Sequence, residues 1–295
     1  MFFHTPKEIC RSTAAVGLWL VVLALLRPAA PVVAAEKISK QKLRELWPLW
    51  RGNRTTSQVV DLYGLEAHAR LRPYFRKAGV PYPPKKITLL ALKEERRLEM
   101  WARHRGKWRH IRDYKIMGAS GHAGPKKKQG DKQVPEGHYR MTLLNPNSRY
   151  HVSIKLNYPN AFDRKYGRLE RRSKLGGDIF IHGTSYSIGC LAMGNPVSEE
   201  LFVLTAKVGL KNFDVLIAPY DFRRYKPRRR QNDPQWVDIL YRDIQKRMAG
   251  YTDSKHRLGD WFSESTGSRK KAVQSTGKRR PSHPADPLSQ FEYRF

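Results

Sequence analysis

Two residues offer the most direct chemistry in this sequence: Cys190 and, eight positions before it, His182. A thiol becomes a nucleophile when a base takes its proton, and an imidazole is the usual supplier. Gly189 precedes the cysteine and lets the backbone turn tightly and approach a substrate. Backbone N–H groups at the Gly189-Cys190 turn suit the oxyanion of an acyl intermediate. The apolar run Ile179-Phe180-Ile181 ends in His182-Gly183, so a strand delivers the histidine and a loop carries the chain on to the cysteine. From two residue types alone, a buried cysteine beside an unrelated histidine accounts for the pattern equally well.

The cysteine count sharpens the point. The 295-residue chain has two cysteines, which excludes a disulfide-dense miniprotein and a cysteine-rich zinc module. Cys10 falls in a segment that reads as an address rather than as fold. Lys7 and Arg11 precede the run Thr13 to Leu26, and Val33-Ala34-Ala35 offers small residues before Glu36, the pattern of a secretory signal peptide over residues 1–35. That run is shorter than the roughly 20 residues a membrane-spanning helix needs. An uncleaved anchor is the second reading, because Arg27 directly after the run suits cleavage poorly. Location in the periplasm or cell envelope is therefore expected, with Cys190 as the one cysteine left after residue 35.

The elements that must position this pair follow from periodicity. Residues 36–82 read as a basic helical segment, with Leu43, Leu46 and Trp47, then Leu65, Leu71 and Phe75, at helical spacing before Gly79. From Lys86 the pattern turns to strands. Ile87 to Leu92, Arg97 to Arg103 and Trp108 to Tyr114 suggest an antiparallel meander with one wet face, and Tyr139 to Leu143 and His151 to Leu156 continue the strands. Asn195 is the expected N-cap of a helix that runs to about Val208 and stops at Gly209, with Glu199 and Glu200 near its positive end. Asp214 to Ala218 is the last strand expected, and Trp236–Met248 an amphipathic helix. The fold class is mainly β with short helices. Residues 83–222 form the expected catalytic domain, 223–262 a basic helical extension and 263–295 a disordered tail.

The residues around the pair carry a resemblance. Ile181-His182-Gly183-Thr184-Ser185-Tyr186-Ser187-Ile188-Gly189-Cys190-Leu191-Ala192-Met193 resembles the H-G…S-x-G-C signature of L,D-transpeptidase (YkuD-type) catalytic domains. The likeness extends through Gly130 to Tyr139, Asn145-Pro146-Asn147-Ser148-Arg149-Tyr150 and Tyr158-Pro159-Asn160, and covers roughly Pro83 to Tyr220. It implies a β-rich, metal-free cysteine acyltransferase, without a cofactor, acting on peptidoglycan stem peptides. Cys190 would be the nucleophile and His182 the general base and acid. Ser187 and Gly189 would shape the pocket, backbone near Gly183 would orient the imidazole, and Tyr158 is a candidate for the substrate groove. The thiolate would attack the carbonyl of the third, diamino-acid residue; an amine or water would then resolve the thioester.

Two departures from the family pattern stand out. Ala192 occupies the place of an arginine usually found two residues after the cysteine, and the loop from histidine to cysteine is short. Both resemble the YafK/DpaA-like branch, which includes a hydrolase that releases lipoprotein attached to peptidoglycan. Transfer and hydrolysis therefore both stay open. An envelope protein attached to or released from peptidoglycan is a further expected partner.

Other features carry less. His122, His138 and His151 lack metal-ligand spacing, so no metal site is expected. Gly118 to Gly130 lacks the G-K-[ST] ending of a phosphate loop. The Trp101/Trp108 pair fits sheet packing. Net charge is +31, and removal of residues 1–35, which carry Lys7, Arg11 and Arg27 against Glu8, leaves +29. Such a balance seeks a polyanion. With no nucleic-acid reading module in the chain, no specific nucleic-acid partner is expected and an anionic envelope surface explains the charge better. The competing reading is a catalytically inactive, basic envelope-binding protein.

Overall fold

The computed structural model describes residues 53–256. The expected signal segment, the start of the basic helical segment and the expected disordered tail lie outside the described residues. Among the described residues no helix is long and apolar enough to cross a membrane.

The first helix, α1 (Thr56–Lys77), starts at a capping box. The Thr55 side chain accepts from the Gln58 N–H, and the Gln58 side chain accepts from the Thr55 N–H, so two otherwise orphaned donors are satisfied. Val59, Ala67, Leu71 and Phe75 form its buried stripe. Eight strands follow in one sheet: β1 (Ile87–Leu92), β2 (Arg97–His104), β3 (Lys107–Lys115), β4 (Gly137–Asn145), β5 (Ser153–Leu156), β6 (Phe180–His182), β7 (Leu191–Ala192) and β8 (Phe213–Ala218). Their spatial order is β3-β2-β1-β8-β4-β5-β6-β7. Three further helices are α2 (Ala161–Leu169), α3 (Asn195–Val208) and α4 (Trp236–Met248). The architecture is mainly β with short helices, as the sequence leads one to expect.

The first three strands form the expected antiparallel meander, but it has no wet face along β1. Every residue of β1 is buried. Leu89, Ala91, Leu98 and Met100 face a core shared with α1 and α3, while Leu90, Leu92 and Trp101 face a second core under α4. A strand covered on both faces reads as a continuous apolar run rather than an alternating one, which is what Ile87-Thr88-Leu89-Leu90-Ala91-Leu92 is. β1 pairs in parallel with β8, joining the two ends of the domain at the centre of the sheet.

Helix α3 begins one residue before the expected start. Gly194 is the N-cap, in a left-handed conformation with φ of 77°, and Asn195 is the first helical residue. The Asn195 side chain is occupied elsewhere: its oxygen accepts from the Thr184 N–H at 2.9 Å. Glu199 and Glu200 do more than face the helix dipole. Arg70 of α1 bonds both carboxylates, and Arg112 and Tyr114 of β3 bond Glu200. The reading of periodicity passed over α2, although Asn160 and Asp163 form a reciprocal capping box at its start.

A buried ion cluster ties the α4 side together. The Arg223 guanidinium, fully buried, donates to Glu99 at 2.6 and 3.0 Å, to Asp221 at 2.8 Å and to the Tyr251 carbonyl at 2.7 Å. Trp101 Nε1 donates to the same Glu99, and Arg97 reaches both carboxylates. Removing one member leaves charge in a medium that cannot solvate it, at a cost of about 3–5 kcal/mol. Arg223→Ala is therefore expected to lose about that much stability in urea unfolding, with the loss shared by Glu99→Ala rather than added to it. A change below about 1 kcal/mol would mean that water reaches the cluster.

Candidate active site

Strand β6 ends at His182 and β7 begins at Leu191, and the two strands pair in parallel, with Ile181 opposite Leu191 and His182 opposite Ala192. This pairing brings His182 and Cys190 to the wall of one cavity of about 540 Å³. That volume lies in the range of ordinary small-ligand sites, roughly 300–1,000 Å³. Tyr150, Asp178, Phe180 and Gly189 line it as well.

His182 is 2% exposed. Its Nδ1 lies 2.6 Å from the Gly183 carbonyl. A carbonyl only accepts, so this contact places the proton on Nδ1 and leaves the Nε2 lone pair free. The Tyr150 ring lies over the imidazole, with centroids 4.8 Å apart and planes 31° apart. Burial pulls the His182 pKa below its ordinary value, and the hydrogen bond to Gly183 opposes this only in part, so the ring is neutral at neutral pH. Neutral imidazole is the form that accepts a proton.

The sulfur of Cys190 is held by the backbone leading into β6. The Phe180 N–H donates to Sγ at 3.4 Å, and Sγ–H points to the Asp178 carbonyl at 3.6 Å. Burial pushes the thiol pKa up, the Asp178 charge adds to that, and the Phe180 N–H and Lys126 oppose it without prevailing. The resting pair is therefore a neutral thiol and a neutral imidazole. At rest the thiol has the Asp178 backbone carbonyl as its hydrogen-bond acceptor.

The loop between them is shaped by small residues and one hydroxyl. Ser187 Oγ donates to the Cys190 carbonyl at 2.7 Å and accepts from the Gly189 N–H at 3.3 Å, which closes the turn before the cysteine. Gly189 has φ of 130°, a conformation that side chains rarely adopt. At Gly183 the constraint is space: a Cβ there would lie 2.6 Å from Asn195 Oδ1 and 2.8 Å from the Tyr150 carbonyl. Thr184 and Asp178 hold φ of 60° and 54°, so non-glycine strain also gathers at this site.

Tyr158 does not join the others. It is buried, outside the cavity lining, and its hydroxyl donates to the Leu175 carbonyl at 3.0 Å, which supports the segment leading to Asp178 from below. Ala192 is fully buried against Gly118, whose backbone it pairs with in both directions. Conversely, Tyr150, Asp178 and Phe180 belong to the site. Tyr150 falls in the segment Asn145 to Tyr150 that carried part of the resemblance, and that was the available signal; the other two act through main-chain groups that no side-chain pattern encodes.

Among the described residues one group has potential metal-ligand atoms within 4.8 Å of one another: His110, Asp113 and His256. None lines this cavity, and each histidine already has a carboxylate, His110 with Asp113 at 2.7 Å and His256 with Asp253 at 2.8 Å.

Against known proteins, residues 87–213 match the L,D-transpeptidase catalytic domain family YkuD. The matched span runs from β1 to the first residue of β8. Over 140 residues it is 37% identical to YafK of Escherichia coli strain K12 and equally to YafK of strain O157:H7, covering 46% of this chain. The chain spans 54% of the length of those relatives. Among solved structures, Pgp2 of Campylobacter jejuni, described as a helical cell shape determining protein, aligns at 18% identity and a TM-score of 0.39, over 63% of this chain and 79% of its own. The K307A mutant of the same protein aligns at 23% identity and a TM-score of 0.38, over 62% and 64%. Cys190, His182 and the loop between them all lie inside the matched span, whereas α1 and α4 lie outside it.

The protonation state has a direct test. Only the thiolate reacts with iodoacetamide, so below the thiol pKa the rate follows the thiolate fraction, rising about tenfold per pH unit. With its pKa raised, Cys190 is expected to be alkylated more slowly than a free cysteine at pH 7.5 and to keep accelerating through pH 9. A plateau near neutral pH would reveal a standing thiolate–imidazolium pair instead.

Proposed function

We propose that this protein is an exported cysteine acyltransferase that acts on the stem peptides of peptidoglycan through a thioester on Cys190. The observation that carries the reading is the meeting of the Cys190 thiol and a neutral, Nδ1-protonated His182 on the wall of one cavity within a YkuD domain.

The chemistry follows from the protonation states. As Sγ attacks the carbonyl carbon of the diamino-acid residue, Nε2 of His182 takes the thiol proton. Deprotonation at the moment of attack gives up the weak contact with the Asp178 carbonyl. The oxyanion faces the backbone N–H of Cys190, since the Gly189 N–H is given to Ser187 Oγ. Collapse breaks the amide C–N bond, and the imidazolium returns its proton to the departing amine. The Cys190 thioester is then attacked by a second amine, giving a new amide, or by water, giving a carboxylic acid. His182 takes the proton of the attacking group and returns it to the sulfur. Gly183 keeps the imidazole in one tautomer throughout, because its carbonyl accepts only from Nδ1–H.

The compartment and the charge fit this reading. Residues 1–35 supply the signal for export, cleaved or retained as an anchor, and the basic surface holds the protein near an anionic envelope. The name of the relative YafK, an L,D-transpeptidase, supports the same reading.

Mass spectrometry of muropeptides incubated with the purified protein tests the activity. New crosslinks, exchanged terminal D-amino acids or shortened peptides are expected with the wild type, each identifying the acceptor as amine or water. Cys190→Ala is expected to lower their formation on the order of a thousandfold or more. Identical muropeptide profiles with the two proteins would support the basic envelope-binding reading instead.

A further inference from the structure

The charged side chains around the cavity are not equivalent. Besides His182, three line it: Lys126, Asp178 and Arg149. Lys126 is buried and its ammonium is paired with Asp131. The Asp178 carboxylate is paired with Lys155 at 2.7 Å. Arg149 has no carboxylate partner among the described residues, and it is exposed. The cavity therefore presents one uncompensated guanidinium to whatever enters it.

The loop that carries Arg149 is fixed on both sides of it. Two hydrogen bonds of 2.8 Å join Asn147 to the backbone of Arg54, just before α1. The Arg54 side chain donates to the His151 carbonyl at 2.9 Å, and His151 Nε2 meets Glu199 at 2.8 Å. Between these anchors, the Tyr150 carbonyl accepts from the Gly183 N–H at 3.0 Å while its ring covers His182. Every neighbour of Arg149 in this loop is used by the fold, and its own side chain is not. An exposed arginine kept only for solubility needs neither a pinned loop nor a place on the wall of the cavity that Cys190 lines.

We propose that Arg149 recognises a free carboxylate of the bound peptide beside the scissile bond, taking it in a two-pronged hydrogen bond while Cys190 attacks. A guanidinium fork matches a carboxylate in shape and charge, and a pinned loop loses little entropy on binding. The position is distinct from Ala192, whose methyl is buried outside the cavity. This inference rests on the proposed peptidoglycan activity and names what that site selects.

The test uses three versions of a synthetic stem tetrapeptide: with free carboxylates, with the C-terminal carboxylate amidated, and with the diamino-acid carboxylate amidated. Wild type, Arg149→Ala and Arg149→Lys are compared on each. One of the two amidations is expected to lower the wild-type kcat/KM roughly 10- to 100-fold, mainly through KM, and so to identify the carboxylate. Arg149→Ala should lose the same factor on the free acid and nothing further on that amide, and Arg149→Lys should recover part of it. Equal losses by Arg149→Ala on all three peptides, or no loss, would overturn the proposal.

Calorimetric binding of the same peptides to Cys190→Ala and to Cys190→Ala/Arg149→Ala separates this inference from the activity. Preference for the free acid that vanishes with Arg149, without turnover by the wild type, would retain the carboxylate site and reject the acyltransferase. Equal binding of acid and amides would reject the site.

Discussion

The site depends on a connection that is unusually short for its topology. Parallel strands are ordinarily joined by a crossover of about a dozen residues or more. Here β6 and β7 lie parallel with only residues 183–190 between them. A chain this short has little slack, so it must turn through tight and strained backbone, at Thr184 and Gly189, and must close on itself through Ser187. The same shortness sets histidine and cysteine against one cavity, each with main-chain hydrogen-bond partners. The pair is positioned by main chain.

Because the connection is tight, its surroundings have to be stiff. Gly183 is wedged between Asn195 of α3 and the Tyr150 carbonyl, with no room for a methyl group. Helix α3 is in turn tied to α1 through Arg70 and to β3 through Arg112. Helix α1 precedes the span that matches the YkuD family, yet Val59, Leu71 and Phe75 belong to the same core as Ile181 and Leu191. On the opposite face, α4 covers β1 and β8 and closes over the Arg223 cluster. The flanking helices thus complete the cores on both sides of the sheet.

The sheet was largely legible in the sequence, because apolar runs such as Ile87 to Leu92 encode burial directly. Helices α3 and α4 were legible for the same reason. What the sequence hid depends on partners far along the chain. Glu199 and Glu200 look like dipole-compensating surface acids until Arg70 and Arg112, about a hundred residues away, are brought to them. Asn195 looks like a cap until Thr184 claims its side chain. The positions of Cys190 and His182 were readable from strand, loop and local motif. Their protonation was not, since it follows from desolvation and from the main-chain groups of Asp178 and Phe180. Tyr158 was misplaced because an aromatic beside a proline gives no sign of which way it faces.

The Sγ–H contact with the Asp178 carbonyl has a consequence for the survival of the protein. Disulfide exchange and peroxide oxidation both act on thiolates, and a thiol held protonated reacts with neither at an appreciable rate. A solitary cysteine on the wall of an open cavity would otherwise be an easy target for small oxidants. Cys190 is kept dormant by one carbonyl and its own burial. A thiol in that form outlasts an exposed thiolate in the presence of small oxidants.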